Sequence, residues 1–178
     1  MARYRSRVRR TVYVKPKKRW ATNIIQYTKD FSGSETLMAT TQVLVSNSVQ
    51  ASNPTPTILK AGNFKVQGDC LVAGTVTAGV ITISLYVMYI PEGITIANAS
   101  SAQNLINAHP EWIMAWKFIS ANKVQSGQTT EDVDAFSFSS RLKRNLNSGD
   151  SIQLIGLAAG NVSAVSLRGM AQYWTCAN

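Results

Sequence analysis

From Thr22 onward the chain repeats with a period of two. Ile81, Ile83, Leu85, Val87 and Tyr89 alternate with Thr82, Ser84, Tyr86 and Met88, as in a strand with one face on a core. Phe64, Val66 and Cys70 alternate with Lys65, Gln67 and Asp69, and Leu37, Thr41, Val43 and Val45 mark a similar run. Trp112, Met114, Trp116 and Phe118 alternate with Glu111, Ala115 and Lys117, which predicts that the four large side chains share one face. Phe136 and Phe138 point one way between Ala135, Ser137 and Ser139. With Asn23–Phe31, Ser151–Ala159 and Ser163–Thr175 the pattern predicts about eight strands.

Turn chemistry falls between these runs. Ser32-Gly33-Ser34, Pro54 with Pro56, Pro91-Glu92-Gly93, Ser126-Gly127, Ser148-Gly149-Asp150 and Gly160-Asn161 all interrupt the alternation. Only Ala97–Ala108 reads as a helix, with Ser100 or Ser101 as its cap and Leu105 and Ile106 docking it. An all-β chain of this kind is a sandwich or barrel, and the eight-stranded solution with two Greek keys is the jelly roll. An immunoglobulin-type sandwich has the same strand count, but Cys70 and Cys176 do not bracket a mid-chain tryptophan as that fold requires.

Charge divides the chain in two. Residues 1–19 hold Arg3, Arg5, Arg7, Arg9, Arg10, Lys15, Lys17, Lys18 and Arg19 and no acid. Of the 18 basic residues, the other nine (18 − 9) face nine acids over the remainder, so the net +9 belongs to the first segment alone. The expected organisation is a cationic arm over 1–20 and one folded domain over 21–178. The arm lacks the aliphatic stripe of a helix, its like charges repel, and it has no apolar stretch that would make it a secretory signal. No apolar run is long enough for a membrane helix.

Clustered arginine and lysine neutralise a phosphate backbone and release its counterions, so the arm predicts nucleic acid as its partner. Arg3, Arg5, Arg7 and Arg9 would align on one side of an extended chain, and Tyr4, Tyr13 and Trp20 would stack on unpaired bases. The same residues fit a nuclear localisation signal; a transit peptide would be amphipathic and serine-rich, and a merely solubilising tail is the bland reading. Arg141, Lys143 and Arg144 are the basic cluster of the folded part and are candidate further contacts, to nucleic acid or to acids of a neighbouring subunit.

Little else suggests chemistry. His109 is the single histidine and has no nucleophile constellation, so it reads as a turn residue before a strand. Glu131, Asp132 and Asp134 read as a solvated loop rather than a cation site. Two cysteines without CxxC spacing and one histidine leave no zinc set, so no metal and no cofactor is expected. Cys70 reads as a buried small hydrophobe. The triplets Asn98-Ala-Ser100 and Asn161-Val-Ser163 match the glycosylation sequon, but such triplets are common by chance.

Four stretches carry a family resemblance: Tyr86-Val-Met-Tyr-Ile-Pro-Glu-Gly93, His109-Pro-Glu-Trp-Ile-Met-Ala-Trp-Lys117, Ser139-Ser-Arg-Leu-Lys-Arg-Asn-Leu-Asn-Ser-Gly-Asp150 and Gln172-Tyr-Trp174. In this order they resemble the capsid proteins of circular Rep-encoding single-stranded DNA viruses, the circovirus-like group. The resemblance spans roughly Thr36 to the C-terminus and matches the arm in kind. It implies a single jelly roll, no enzymatic activity, self-assembly into a small icosahedral shell of about 60 copies, and packaging of circular single-stranded DNA. Virion and host nucleus are the implied locations, nuclear import machinery an implied partner, and no receptor is identified. On that basis strands are expected near 22–31, 36–46, 62–72, 79–90, 111–120, 133–140, 151–159 and 163–175. A coat around RNA, a monomeric nucleic-acid-binding β module and a jelly-roll lectin are the alternatives.

Overall fold

The structure, a computed structural model, describes residues 20–34, 36–47, 58–73, 79–123, 132–160 and 164–177. Its strands are β1 (Ala21–Asp30), the short β2 (Ser32–Ser34), β3 (Leu37–Ser46), β4 (Leu59–Ala73), β5 (Gly79–Ile90), β6 (Ile113–Lys123), β7 (Asp132–Leu146), β8 (Ser151–Ala159) and β9 (Ala164–Ala177). Helix α1 (Ala99–Ala108) and a 3-10 turn at Pro110–Trp112 lie between β5 and β6. One sheet runs β1-β9-β4-β7 and the other β2-β3-β8-β5-β6, with antiparallel neighbours throughout. Setting the three-residue β2 aside, the eight long strands, numbered in sequence, order as 1-8-3-6 and 2-7-4-5. Successive long strands cross from sheet to sheet except for the β5–β6 pair, which is the jelly roll.

Alternation produces the core directly. Ile81, Ile83, Leu85 and Val87 are at most 1% exposed and meet Phe64, Val66, Cys70 and Leu167 of the other sheet. Each such large aliphatic side chain contributes about 2 kcal/mol through its removal from water. A second cluster lies on the opposite face of the five-stranded sheet, where Ala99, Ala102 and Ile106 of α1 cover Ala39, Met88, Ile90 and Ile155. The helix begins two residues later than expected. Asn98 is its cap, accepting from the Ser101 amide at 2.8 Å, while the Ser101 hydroxyl accepts from the Asn98 amide at 3.0 Å. Ser101 is thus the reciprocal member of a capping box rather than the cap itself.

Besides a bulge in β3 that puts exposed Val43 and buried Val45 on different faces, contrary to the expected run, two bulges explain where the period-two reading loses phase. Val87 pairs with Ala115 but Met88 pairs with Ile113, so Met114 is an extra residue in β6. Met114 and Ile119 are buried, while Trp116 is 67% and Phe118 51% exposed. The four large residues of this run therefore do not share a face, contrary to the pattern. The second bulge sets Gly62 opposite Lys143 and Phe64 opposite Ser140, and it carries β7 on to Leu146 instead of ending it near 140. The Ser140 hydroxyl donates to the Met114 carbonyl at 2.6 Å, tying the two sheets where both strands are bulged.

In the four-stranded sheet one row reads Tyr27, Gly169, Gly68, Phe136 across β1, β9, β4 and β7. Tyr27 and Phe136 are buried at its ends. The glycines are required by close approach: a Cβ on Gly68 would stand 2.0 Å from the Arg168 carbonyl oxygen, and one on Gly169 2.3 Å from that of Gln67. The Tyr27 hydroxyl is packed beside Gly169, buried, and has no hydrogen-bond partner among the described residues. Burial pushes its ionisation far above the ordinary range. An unpaired buried hydroxyl is a penalty of about 1–3 kcal/mol, so Tyr27→Phe should stabilise the domain by up to about 1 kcal/mol, read as a higher urea midpoint at constant slope.

Candidate nucleic-acid interface

Arg3, Arg5, Arg7, Arg9, Arg10, Lys15, Lys17, Lys18, Arg19, Tyr4 and Tyr13 lie outside the described residues. The first described residue is Trp20, at the root of the arm. It precedes β1, in the alternation that puts Thr22, Ile24 and Gln26 on the face of the four-stranded sheet away from the core. The Trp20 ring is 37% exposed, and the Lys143 ammonium stands 5.0 Å from its centroid. This is a cation–π contact between an aromatic expected to stack on bases and a lysine expected to be a further basic contact.

The three basic residues of β7 do different work. Lys143 lies on the outer face opposite Gly62. Arg141 is exposed within the bulge. Arg144 turns to the end of the barrel, where its guanidinium donates to the Glu111 carbonyl and lies 5.7 Å from the Tyr89 ring centroid. That position ties β7 to the 3-10 turn. Beside it the His109 ring stacks on Trp112 at 3.8 Å, and its Nδ1 lies 3.0 Å from Glu111 Oε1. The Glu111 carboxyl is held below its ordinary range by a backbone hydrogen bond first and by His109 second. His109 is therefore a structural turn residue in this geometry.

The outer faces of the two sheets differ in charge. Strand alternation places Lys60, Lys65, Lys143 and Arg168 on the outer face of the four-stranded sheet, against Asp30 and Asp69. The outer face of the five-stranded sheet presents Thr41, Val43, Tyr86, Trp116, Phe118, Gln153 and Leu157, with no charged residue among those described. A formally neutral domain is thus polarised, with its basic side on the sheet that bears the arm. Sequence reasoning overlooked Lys60, Lys65 and Arg168. The outward direction of Lys65 was readable from its buried neighbours Phe64 and Val66, but nothing local brings Arg168 beside it.

Other candidates resolve simply. Cys70 is 1% exposed, and burial, with the Asp134 charge second, pushes its thiol up to about 12. Cys176 is buried in β9. Among the described residues no cluster of three or more His, Cys, Asp or Glu side chains could hold a metal, and no helix is long and apolar enough to cross a membrane. Glu131 lies outside the described residues.

No family model and no curated protein sequence matches the chain. Among solved structures it is similar to Desmodium yellow mottle tymovirus, at 12% identity and a TM-score of 0.38 over 89% of each chain. It is also similar to the Gx strain of infectious bursal disease virus, at 14% identity and a TM-score of 0.35, and to that virus's VP2 subviral particle, at 10% and 0.28. In both cases 89% of this chain is covered, but only 36% and 40% of the other.

Proposed function

We propose that this chain is a viral coat protein whose jelly roll forms the wall of a small icosahedral shell and whose arm holds packaged circular single-stranded DNA. The observation that carries the reading is the confinement of nine cations and no acid to residues 1–19, outside a domain that sums to zero. A freestanding binder would spread its charge over the fold; a wall needs a neutral, closely packed body and a tether for the cargo. The basic outer face at the root of the arm supports the same direction, because it extends the cationic surface from the tether onto the wall. The choice of DNA, and of the nucleus as the place of assembly, rests on the family resemblance of the four sequence stretches. In this reading the chain is structural rather than catalytic, with about 60 copies in the closed shell and the arm doubling as a nuclear import signal.

The arm's contribution is measurable as a salt dependence. With up to nine phosphate contacts on a single strand, log K against log salt should slope by about −6 at most. Removing residues 1–19 should bring the slope above about −2 and empty the particles of nucleic acid. Particles of the truncated chain that retain their full nucleic-acid content would overturn the genome-binding role. A stable monomer at high concentration by size-exclusion chromatography would overturn the shell, and particle contents that resist DNase but yield to RNase would move the cargo to RNA.

A further inference from the structure

A depression of about 670 Å³ opens over the Gly68–Gly169 pair in the four-stranded sheet. Volumes of about 300–1,000 Å³ are usual for small-ligand sites. One side is the row Gln26, Met170, Gln67 and the other the row Thr28, Arg168, Asp69, both on the outward face. The rows are two residues apart, roughly 7 Å, and the row between them, Tyr27, Gly169, Gly68 and Phe136, turns Tyr27 and Phe136 to the core and so offers a floor of backbone.

The charges at this site are uncommitted. Asp69 and Arg168 are direct cross-strand partners. Opposite charges in that position would be expected to pair. Yet the ion pair found among the described residues is His109 with Glu111, and neither Asp69 nor Arg168 takes part in one. A guanidinium and a carboxylate are therefore presented side by side, with two carboxamides and a partly exposed thioether across the floor. Arginine suits a phosphate, a carboxylate accepts only, and carboxamides both donate and accept.

We propose that this depression takes one nucleotide of a single strand. The phosphate sits on Arg168, the base lies over the glycine floor against Met170, and Asp69 with Gln67 reads the base edge. Because Asp69 only accepts, the site favours bases with an exocyclic amine and disfavours thymine, whose O4 would face the carboxylate. The depression shares its sheet face with Trp20 and lies six residues along β1 from it, roughly 20 Å, so a strand held by the arm passes over it. The inference rests on the nucleic-acid reading above and adds a base preference that an arm binding only phosphate cannot supply.

The test titrates the full chain with dCMP, dTMP and inorganic phosphate, followed by NMR shifts of the Gly68 and Gly169 amides. One dCMP per chain is expected, bound at least about fivefold more tightly than dTMP and about tenfold more tightly than inorganic phosphate. Arg168→Gln should weaken both nucleotides about tenfold. Asp69→Asn should leave dCMP bound but abolish its advantage over dTMP. Both side chains are exposed, so neither variant threatens the fold. Oligo(dC) should displace bound dCMP; failure to do so would overturn the strand as ligand. Phosphate binding as tight as dCMP would overturn the nucleotide site. Absence of dCMP binding alongside an intact arm-dependent salt slope would overturn this inference and leave the coat reading standing. A functioning site in a chain whose particles package without the arm would do the reverse.

Discussion

Gly169→Ala is expected to destabilise the domain by about 3 kcal/mol, seen as a lower urea midpoint with an unchanged slope. The added Cβ would stand 2.3 Å from the Gln67 carbonyl oxygen and 2.9 Å from the Gly68 Cα. These are backbone atoms, so no rotamer change relieves the overlap and strands β9 and β4 must separate. Both are interior strands of their sheet, and parting them loosens a ladder that runs from Leu59 to Ala73. Gly68→Ala should cost a similar amount, with its Cβ 2.0 Å from the Arg168 carbonyl. The double variant should cost clearly less than the sum, because one displacement of the strands accommodates both methyl groups. Strict additivity would mean that the two clashes are relieved independently and that the close approach is not shared.

Asp150→Ala should cost a comparable amount, about 3 kcal/mol, for a different reason. Asp150 is 4% exposed. Its Oδ2 accepts from the Tyr89 hydroxyl and the Asn147 amide, both at 2.8 Å, and its Oδ1 accepts from the Glu92 amide at 3.1 Å. Its main-chain carbonyl also accepts from the Asn47 amide at 2.9 Å. One carboxylate thus joins the turn before β8, the end of β5 and the turn after it, and its removal leaves three donors without their acceptor. Each such loss costs about 1 kcal/mol or more. Asp150→Asn should fall in between, since one oxygen is kept and an amine is turned towards a donor.

The pH dependence follows from Tyr89. Its hydroxyl is pushed up to about 12 from an ordinary 10.0, by burial first and then by its hydrogen bond to Asp150 and that residue's charge, with Arg144 acting in the opposite sense. A folded-state value above the unfolded one favours the protonated form in the native state. The associated stability is complete below pH 10.0 and is lost as pH rises towards about 12. In Asp150→Ala the burial contribution remains and the carboxylate's contribution disappears, so tyrosinate absorbance should appear at lower pH than in the parent chain.

The parts legible in the sequence are those governed by near neighbours. In β5 every inward residue is apolar and its partner strands impose no bulge until Val87, so period two alone places the core. In β6 the same reasoning fails at Met114, because a bulge is a relation between two strands and leaves no mark in either one alone. The extension of β7 through Arg144 was hidden by its charge, which reads as loop until Glu111 and Tyr89 of the facing elements are brought against it. The jelly-roll class emerged from strand number and turn spacing; its strand order required pairings between distant segments. The candidate site divides in the same way. A charge run is a local property and could be read at once, whereas the basic face and the Gly68–Gly169 depression exist only once β4 and β9 are in register.

The pairing of β1 with β9 has a consequence in time. Ala21 lies opposite Thr175 and Asp30 opposite Ser166, so the first strand of the domain finds its partner in the last. Contacts of such long sequence separation are slow to form, and on a ribosome they must wait until β9 has been made. Until then β1 has no edge to join. Trp20, the residue before β1, takes its place beside Lys143 only when that pairing is made. In this architecture the order of synthesis delays the closing of the four-stranded sheet until its last strand is present.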